Sequence, residues 1–298
     1  MIVRVPGRKR SRRDPFLIVG AIFLVLLVAF AIVGPSVRDA QLHSLSKHQP
    51  FTSVYDDVAK PFLNAGGHFP LGTDPQGRDV VARIAAGARI SLTVGLVVQL
   101  FALVVGVTVG VLGVFAPRWI AGPVMRLTDA MFAFPDILLA ILIIGAIQSS
   151  KVQVPGGKLA PVIAALSITA WPSIARLVRS QVATLKDREF VVAAKATGAS
   201  TFYNVTRHIL PQLAGILMAV SMIEIAGTIL AESTLSFLGI GIQAPEPSWG
   251  SMINSARENM NSFPEQLIPP CVVLSLTVFA LNFVGDGLRS YLDPKEGK

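Results

Sequence analysis

Nineteen consecutive residues near the start of the chain, Phe16 to Gly34, carry no charge. Wound as a helix they reach about 28 Å, close to the thickness of a hydrocarbon core. Such a segment leaves few options, because backbone groups without water must be satisfied internally, as in a helix or a closed barrel. Further apolar runs follow at Ile90–Phe115, Val124–Ile147, Leu159–Ala175, Leu213–Ile242 and Leu267–Leu288. Their length favours helix over strand, so the chain is expected to be an all-α integral membrane protein with six transmembrane helices. With 52% hydrophobic and 15% charged residues, its composition fits the same class.

Charge gives the spans a direction. Lys and Arg number 26 against 18 Asp and Glu, a net charge of +8. The basic run Arg8-Lys9-Arg10-Ser11-Arg12-Arg13 directly precedes a span, where it serves as an orientation signal that keeps the N-terminus cytoplasmic. Nucleic-acid binding is not indicated, since no soluble domain follows to read bases. Ser11–Leu17 resembles a twin-arginine export signal, but no small-residue cleavage site follows and more spans do. With six spans both ends are cytoplasmic, and 17 of the 26 cationic residues then lie inside. Arg78, Arg83 and Arg89 crowd the outer end of the second span and dilute that bias.

The expected organisation is a basic cytoplasmic N-terminus (1–15), a first transmembrane helix (16–34), an external segment (35–89), a five-helix core (90–288) and a cytoplasmic tail (289–298). Pro50, Pro61, Gly66-Gly67, Pro70 and Pro75 make the external segment an irregular or partly folded arm, not a domain. A second outer loop, about 244–266, holds Pro245, Pro247 and Trp249-Gly250, then a helix-like run at Ser251–Asn261. Gly106 and Gly110 form a small-xxx-small face suited to close helix packing. Pro135 and Pro172 should kink or locally open the third and fourth spans. The single cysteine, Cys271, falls in the last span and reads as a packing residue.

Between the fourth and fifth spans lies a cytoplasmic loop, 180–212, that is too long and too patterned for a turn. Lys186-Asp187-Arg188-Glu189 opens it with alternating charge, as on a solvated helix face. Ala193, Ala194 and Ala196 keep the next turns slim enough for a partner groove. Gly198 permits the geometry that ends one helix and starts another, and Pro211 suits the first turn of the helix that re-enters the bilayer. The layout is a helix–turn–helix to be gripped by another protein.

This loop resembles the EAA loop of ABC importer permeases, E-A-A-x-x-x-G, nine residues, then I-x-L-P. Ala193, Ala194, Gly198, Leu210 and Pro211 fall in register, whereas Val192 replaces the glutamate and His208 the isoleucine. Three other stretches resemble the C-type permeases of dipeptide, oligopeptide and nickel importers. They are Leu71-Gly72-Thr73-Asp74-Pro75-Gln76-Gly77-Arg78-Asp79 with Gly87–Leu92, then Glu232–Gly241 with Pro247 and Trp249-Gly250, and finally Asn282–Arg289 with Leu292-Asp293-Pro294. The resemblance implies a type I ABC importer (MetI-like) permease fold. It also implies a heterodimer with a homologous permease, two ATP-binding subunits and an extracytoplasmic substrate-binding protein in a bacterial inner membrane. Cargo would be a dipeptide or short oligopeptide, with nickel, crossing as a chelate, as the alternative. A secondary transporter would show inverted halves and broken helices at matching positions, and neither is found.

Catalysis is not expected in this chain. The one Gly-Lys pair, Gly157-Lys158, has Val152 and Leu159 where a phosphate-binding loop needs glycine and a hydroxyl; ATP and magnesium belong to the partners. The histidines His43, His48, His68 and His208 fall outside the spans and lack metalloprotease spacing, so neither a catalytic nor a metal site is assigned. Three carboxylates inside spans, Asp136, Glu224 and Glu232, are costly in lipid and face protein or water. They are candidates for a substrate path that accepts a peptide ammonium, or else for interhelical hydrogen bonds. Asp129 is expected to pair with Arg126, and Asp286 with Arg289.

Overall fold

The computed structural model describes residues 15–45, 52–150 and 157–292. The basic run Arg8–Arg13, His48, Pro50, Val152 and the Asp293-Pro294 end of the C-terminal signature lie outside them. Among the described residues the only β structure is two isolated bridges, Gly66–Phe69 and Thr73–Asp79. The rest is helix and loop. Five helices are each long and apolar enough to cross a bilayer, and the count is six where a bent helix pair is taken as one span.

Helix α1 (Pro15–Leu42) runs past Gly34 with Pro35 inside it, so the first eight residues assigned to the external segment are helical. Helix α2 (Val80–Phe115) begins ten residues before Ile90. Hydropathy stops at Arg83 and Arg89, but the helix does not. Asp79 caps it by accepting the backbone N–H of Ala82 at 2.9 Å, and the resulting 36 residues span about 54 Å, more than a bilayer needs. Its outer turns therefore stand clear of the hydrocarbon.

The third apolar run is not one helix. It is α3 (Arg118–Ala133) and α4 (Asp136–Ser149), bent by 97° at Phe134-Pro135. Proline removes a donor and biases the residue before it to extended backbone, here Phe134 at ψ 139°; that ends α3 and starts α4. By contrast α5 (Leu159–Leu185) runs through Pro172 and extends ten residues beyond Ala175. Two short helices follow, α6 (Glu189–Ala196) and α7 (Thr201–Asn204), then α8 (Leu210–Phe237), α9 (Trp249–Glu258) and α10 (Ile268–Leu292).

Small residues set the packing. A Cβ at Gly106 would sit 2.7 Å from Ile174, and one at Gly110 2.7 Å from Val178, so the small-xxx-small face is the groove that receives α5. Gly95 receives Ile225 and Ile229 of α8. At the periphery Gly20 meets the Ala280 carbonyl and Gly287 meets Leu17, which joins α1 to α10. Cys271, half-buried on α10, is a free thiol. The outer surfaces of α1 and α10 present Val19, Ile22, Val25, Leu26, Val272 and Phe279 to the surroundings, as lipid-facing helices do.

Candidate functional site

The loop between α5 and α8 folds as an elbow. Helix α6 ends in a Schellman motif: Gly198 N–H donates to Lys195 O and Ala199 N–H to Ala194 O, both at 3.0 Å. That motif needs a left-handed residue, and Gly198 supplies it at φ 91°. Ser200 then caps α7 by accepting from Tyr203 N–H at 3.2 Å. Pro211 lies in the first turn of α8, although the backbone is already helical from Thr201. It follows a π turn, Val205–Ile209, closed by Leu210 N–H to Val205 O. Widening the turn accommodates a residue with no N–H, whose ring would crowd the Arg207 carbonyl in a regular α-helix.

The elbow has two faces. Val191, Val205 and Ile209 are buried in one cluster with Val178 and Val182 near the C-terminal end of α5. Val192, Phe202 and Tyr203 point outward, Phe202 at 78% exposure. Of the motif residues, Ala193, Gly198 and Pro211 are exposed, while Ala194 and Leu210 are half-buried. No atom lies within 4 Å of where a Gly198 side chain would begin. His208, at the isoleucine position, packs edge-on to Tyr203 at 5.7 Å and beside Phe190 at 6.4 Å. An aromatic clasp thus replaces an aliphatic contact.

The three intramembrane carboxylates occupy different surroundings. Glu232 is fully buried and ringed by hydroxyls: Ser236 Oγ donates at 2.8 Å, Ser91 Oγ at 3.1 Å and Ser233 Oγ at 3.5 Å. Ser236 Oγ also accepts Ile242 N–H at 2.9 Å. Nearby, Trp249 is fully buried, with its indole N–H on Ile84 O at 3.2 Å. The Glu232–Gly241 stretch and the Trp249-Gly250 pair are therefore one structural unit: a Cβ on Gly250 would meet Ser233 O at 2.3 Å. Glu224, two turns inward on α8, is half-buried and accepts from Ser173 Oγ on α5 at 3.1 Å. It lies within Coulombic reach of Asp136, which is exposed at the first turn of α4 beside the break. Asp136 and Glu224 thus lie within reach of each other's charge, whereas Glu232 is enclosed by hydroxyls.

Two expected ion pairs differ from the structure. Asp129 faces Arg176 of α5 at 4.0 Å, not Arg126, because α3 lies against α5 and presents Asp129 there. Arg176 also stacks 4.4 Å over Phe132. Among the described residues no ion pair joins Asp286 to Arg289.

The outer arm carries what the sequence reading missed. Arg38 at the end of α1 makes a two-pronged ion pair with Asp79 at 2.8 and 2.9 Å, and donates to His68 O at 2.8 Å. Arg83 donates to Val54 O at 2.9 Å and faces Asp74 at 3.2 Å. Gln266 donates to Thr73 O at 2.8 Å, and Phe62 stacks on Phe263 at 4.1 Å. Tyr55 donates to Glu246 at 2.9 Å; burial, and then that hydrogen bond, push its pKa up and keep it a donor. The Thr73–Asp79 motif was visible, but its partner Arg38 lay four residues past Gly34-Pro35, taken as the end of a helix.

With this geometry in place, comparison with known proteins is informative. Residues 102–298 match the family described as binding-protein-dependent transport system inner membrane component. A glutathione transport system permease protein, GsiD, of Pectobacterium atrosepticum is 36% identical, over 98% of this chain and 92% of its own length. The dipeptide transport system permease protein DppC of Alkalihalophilus pseudofirmus is 34% identical, over 96% and 88%. Among solved structures, the inward-facing MetNI methionine ABC transporter superposes with a TM-score of 0.57, at 19% identity, over 70% of this chain and 96% of that one. At that identity the likeness speaks for the fold.

Proposed function

Because the chain belongs to the family of binding-protein-dependent transport system inner membrane components, we propose that it forms half of the translocation path of an ATP-driven peptide importer. Its partners are a homologous permease, two ATP-binding subunits and an extracytoplasmic binding protein that delivers cargo. Both ends lie in the cytoplasm, the elbow faces the ATPases and the arm faces outward. The cargo is a dipeptide or short oligopeptide; relatives named for glutathione and for dipeptide transport support that class.

The elbow carries the reading. It stands outside the apolar spans, yet leaves Val192, Phe202 and Tyr203 uncovered beside the slim alanine turn and the open space at Gly198. Exposed apolar groups in a cytoplasmic segment mark a protein contact. Its buried face is keyed to α5 and its backbone runs into α8, so a force applied to the elbow reaches two spans at once. Asp136 and Glu224, beside the α3–α4 break, serve as acceptors for a passing peptide ammonium. Glu232 instead joins α2, α8 and the second outer loop.

The test is ATP-dependent peptide uptake by vesicles holding the complete importer. Gly198→Trp should abolish uptake while the variant still inserts and assembles in the bilayer. Normal uptake by that variant, or uptake driven by an ion gradient with the ATPases inactivated, overturns the proposal.

A further inference from the structure

Between the outer arm and α9 lies a small open cleft, walled by Asp74, Arg78 and Arg83 on one side and by Met252, Ser255 and Gln266 on the other. Its charge is unbalanced. Asp74 Oδ1 accepts the backbone N–H groups of Gln76 and Arg78, both at 2.9 Å. Asp74 Oδ2 takes Arg78 Nε at 2.7 Å and faces Arg83 Nε at 3.2 Å. One carboxylate thus serves two guanidiniums. Arg78 Nη2 bonds Gln76 and Arg83 Nη1 bonds Val54 O, while Arg78 Nη1 and Arg83 Nη2 have no protein acceptor among the described residues. Glu246 lies within Coulombic reach of Arg83, but its carboxylate already accepts from Tyr55. Both guanidiniums are largely buried, their side chains 12% and 6% exposed, so their spare donors are held in place.

We propose that this cleft is a carboxylate site, and that its occupant is an acidic side chain of the extracytoplasmic binding protein. The inference rests on the importer reading above, which puts the arm and α9 on the outer face. Paired guanidinium edges suit a carboxylate in two-pronged geometry. The cleft lies between two extramembrane pieces, with no lipid-facing helix surface in its walls, and it is small and open, so it suits a single carboxylate presented at its mouth and not a folded segment. The contact fixes the register of the docked binding protein over the path.

The experiment measures binding-protein affinity for the complete importer in lipid nanodiscs across a salt series. Ser255→Glu places a carboxylate in the cleft from the α9 wall without disturbing the Asp74 ion pairs; Ser255→Gln adds the same bulk without charge. Ser255→Glu should weaken docking about tenfold at low salt, the difference shrinking as salt rises, while Ser255→Gln stays within about twofold. Arg78→Glu should weaken docking as well, and reversing one acidic residue of the binding protein to Lys should restore it. Docking by Ser255→Glu at wild-type affinity, or equal losses in the Glu and Gln variants, overturns the carboxylate site. So does an effect that follows the anionic lipid content of the nanodisc and not the binding protein. Failure of the wild-type importer to dock any binding protein overturns the importer reading and the cleft together.

Discussion

The arm and the elbow invert the usual link between regular structure and self-sufficiency. From 52 to 79 the arm has no helix and only two isolated bridges. Even so, it is tied to α1, α2, the second outer loop and the approach to α10 through Arg38–Asp79, Arg83–Val54, Tyr55–Glu246, Gln266–Thr73 and the Phe62–Phe263 stack. The elbow is almost wholly helical, but it buries few side chains, Val191, Asn204, Val205 and Ile209, and its aromatic side chains Phe202 and Tyr203 are left bare. The arm is cross-tied within the chain. The elbow leaves apolar side chains bare, which on the importer reading a partner covers. If so, substitutions in the arm should cost stability, and substitutions in the elbow should cost assembly.

The largest expected loss is at the arm's buried ion pair. Asp79→Ala removes the acceptor of both Arg38 prongs and the cap of α2. Stranding a buried cation costs about 3–5 kcal/mol, to be read as a fall in the melting temperature of the purified protein in detergent. A loss under about 1 kcal/mol, typical of exposed pairs, would mean that the arm is held no more firmly than the elbow. Glu232→Ala comes next. It leaves the hydroxyls of Ser91 and Ser236 without their acceptor and opens a void, at about 2–4 kcal/mol. Glu232→Gln keeps a carbonyl among those donors and should stay within about 1 kcal/mol of wild type. Equal losses in the two variants would show that charge, not hydrogen-bond acceptance, holds the outer ends of α2 and α8 together.

How far this contrast could be read from sequence depends on where the information lies. Apolar run length is local, so the spans were legible, and so was the elbow, whose alanines, Gly198 and Pro211 sit within one short stretch. Helix ends were less so, because α2 and α5 continue through charged turns that hydropathy treats as boundaries. Proline was ambiguous: Pro135 breaks its span and Pro172 does not, a difference that depends on whether neighbours hold the helix together. The arm was least legible. Its ties join residues 29 to 201 positions apart, and no periodicity encodes such pairs. The same limit explains why Glu224 and Glu232, two turns apart on one helix, looked alike: their difference comes from Ser173 on α5 and Ser91 on α2.

Within the elbow, Gly198→Ala probes the one backbone position that has no alternative. A side chain there meets open space, so no clash enters. The cost is left-handed geometry alone, about 1–2 kcal/mol, confined to the α6 end. Amide exchange of α6 should quicken while global melting barely moves. A large drop in global stability would mean that the elbow is part of the folding core and not an appendage.

The smallest effect on stability should accompany a large effect on assembly. Phe202 is 78% exposed and its ring supports nothing beneath it, so Phe202→Ser should leave melting within about 0.5 kcal/mol of wild type. If an ATPase covers this face, an aromatic anchor of that kind is worth about 2 kcal/mol or more, a loss of over tenfold in affinity. Capture of the ATPase subunits by the purified permease pair should fall accordingly. The neighbouring Tyr203 is a useful second site because it also packs on His208; Tyr203→Ser should reduce capture and loosen the clasp together. Phe202→Ser that captures ATPase normally would place the partner on another face of the elbow and undo the division of labour between the two ends of the molecule. Normal melting with lost capture would separate docking from folding at a single side chain.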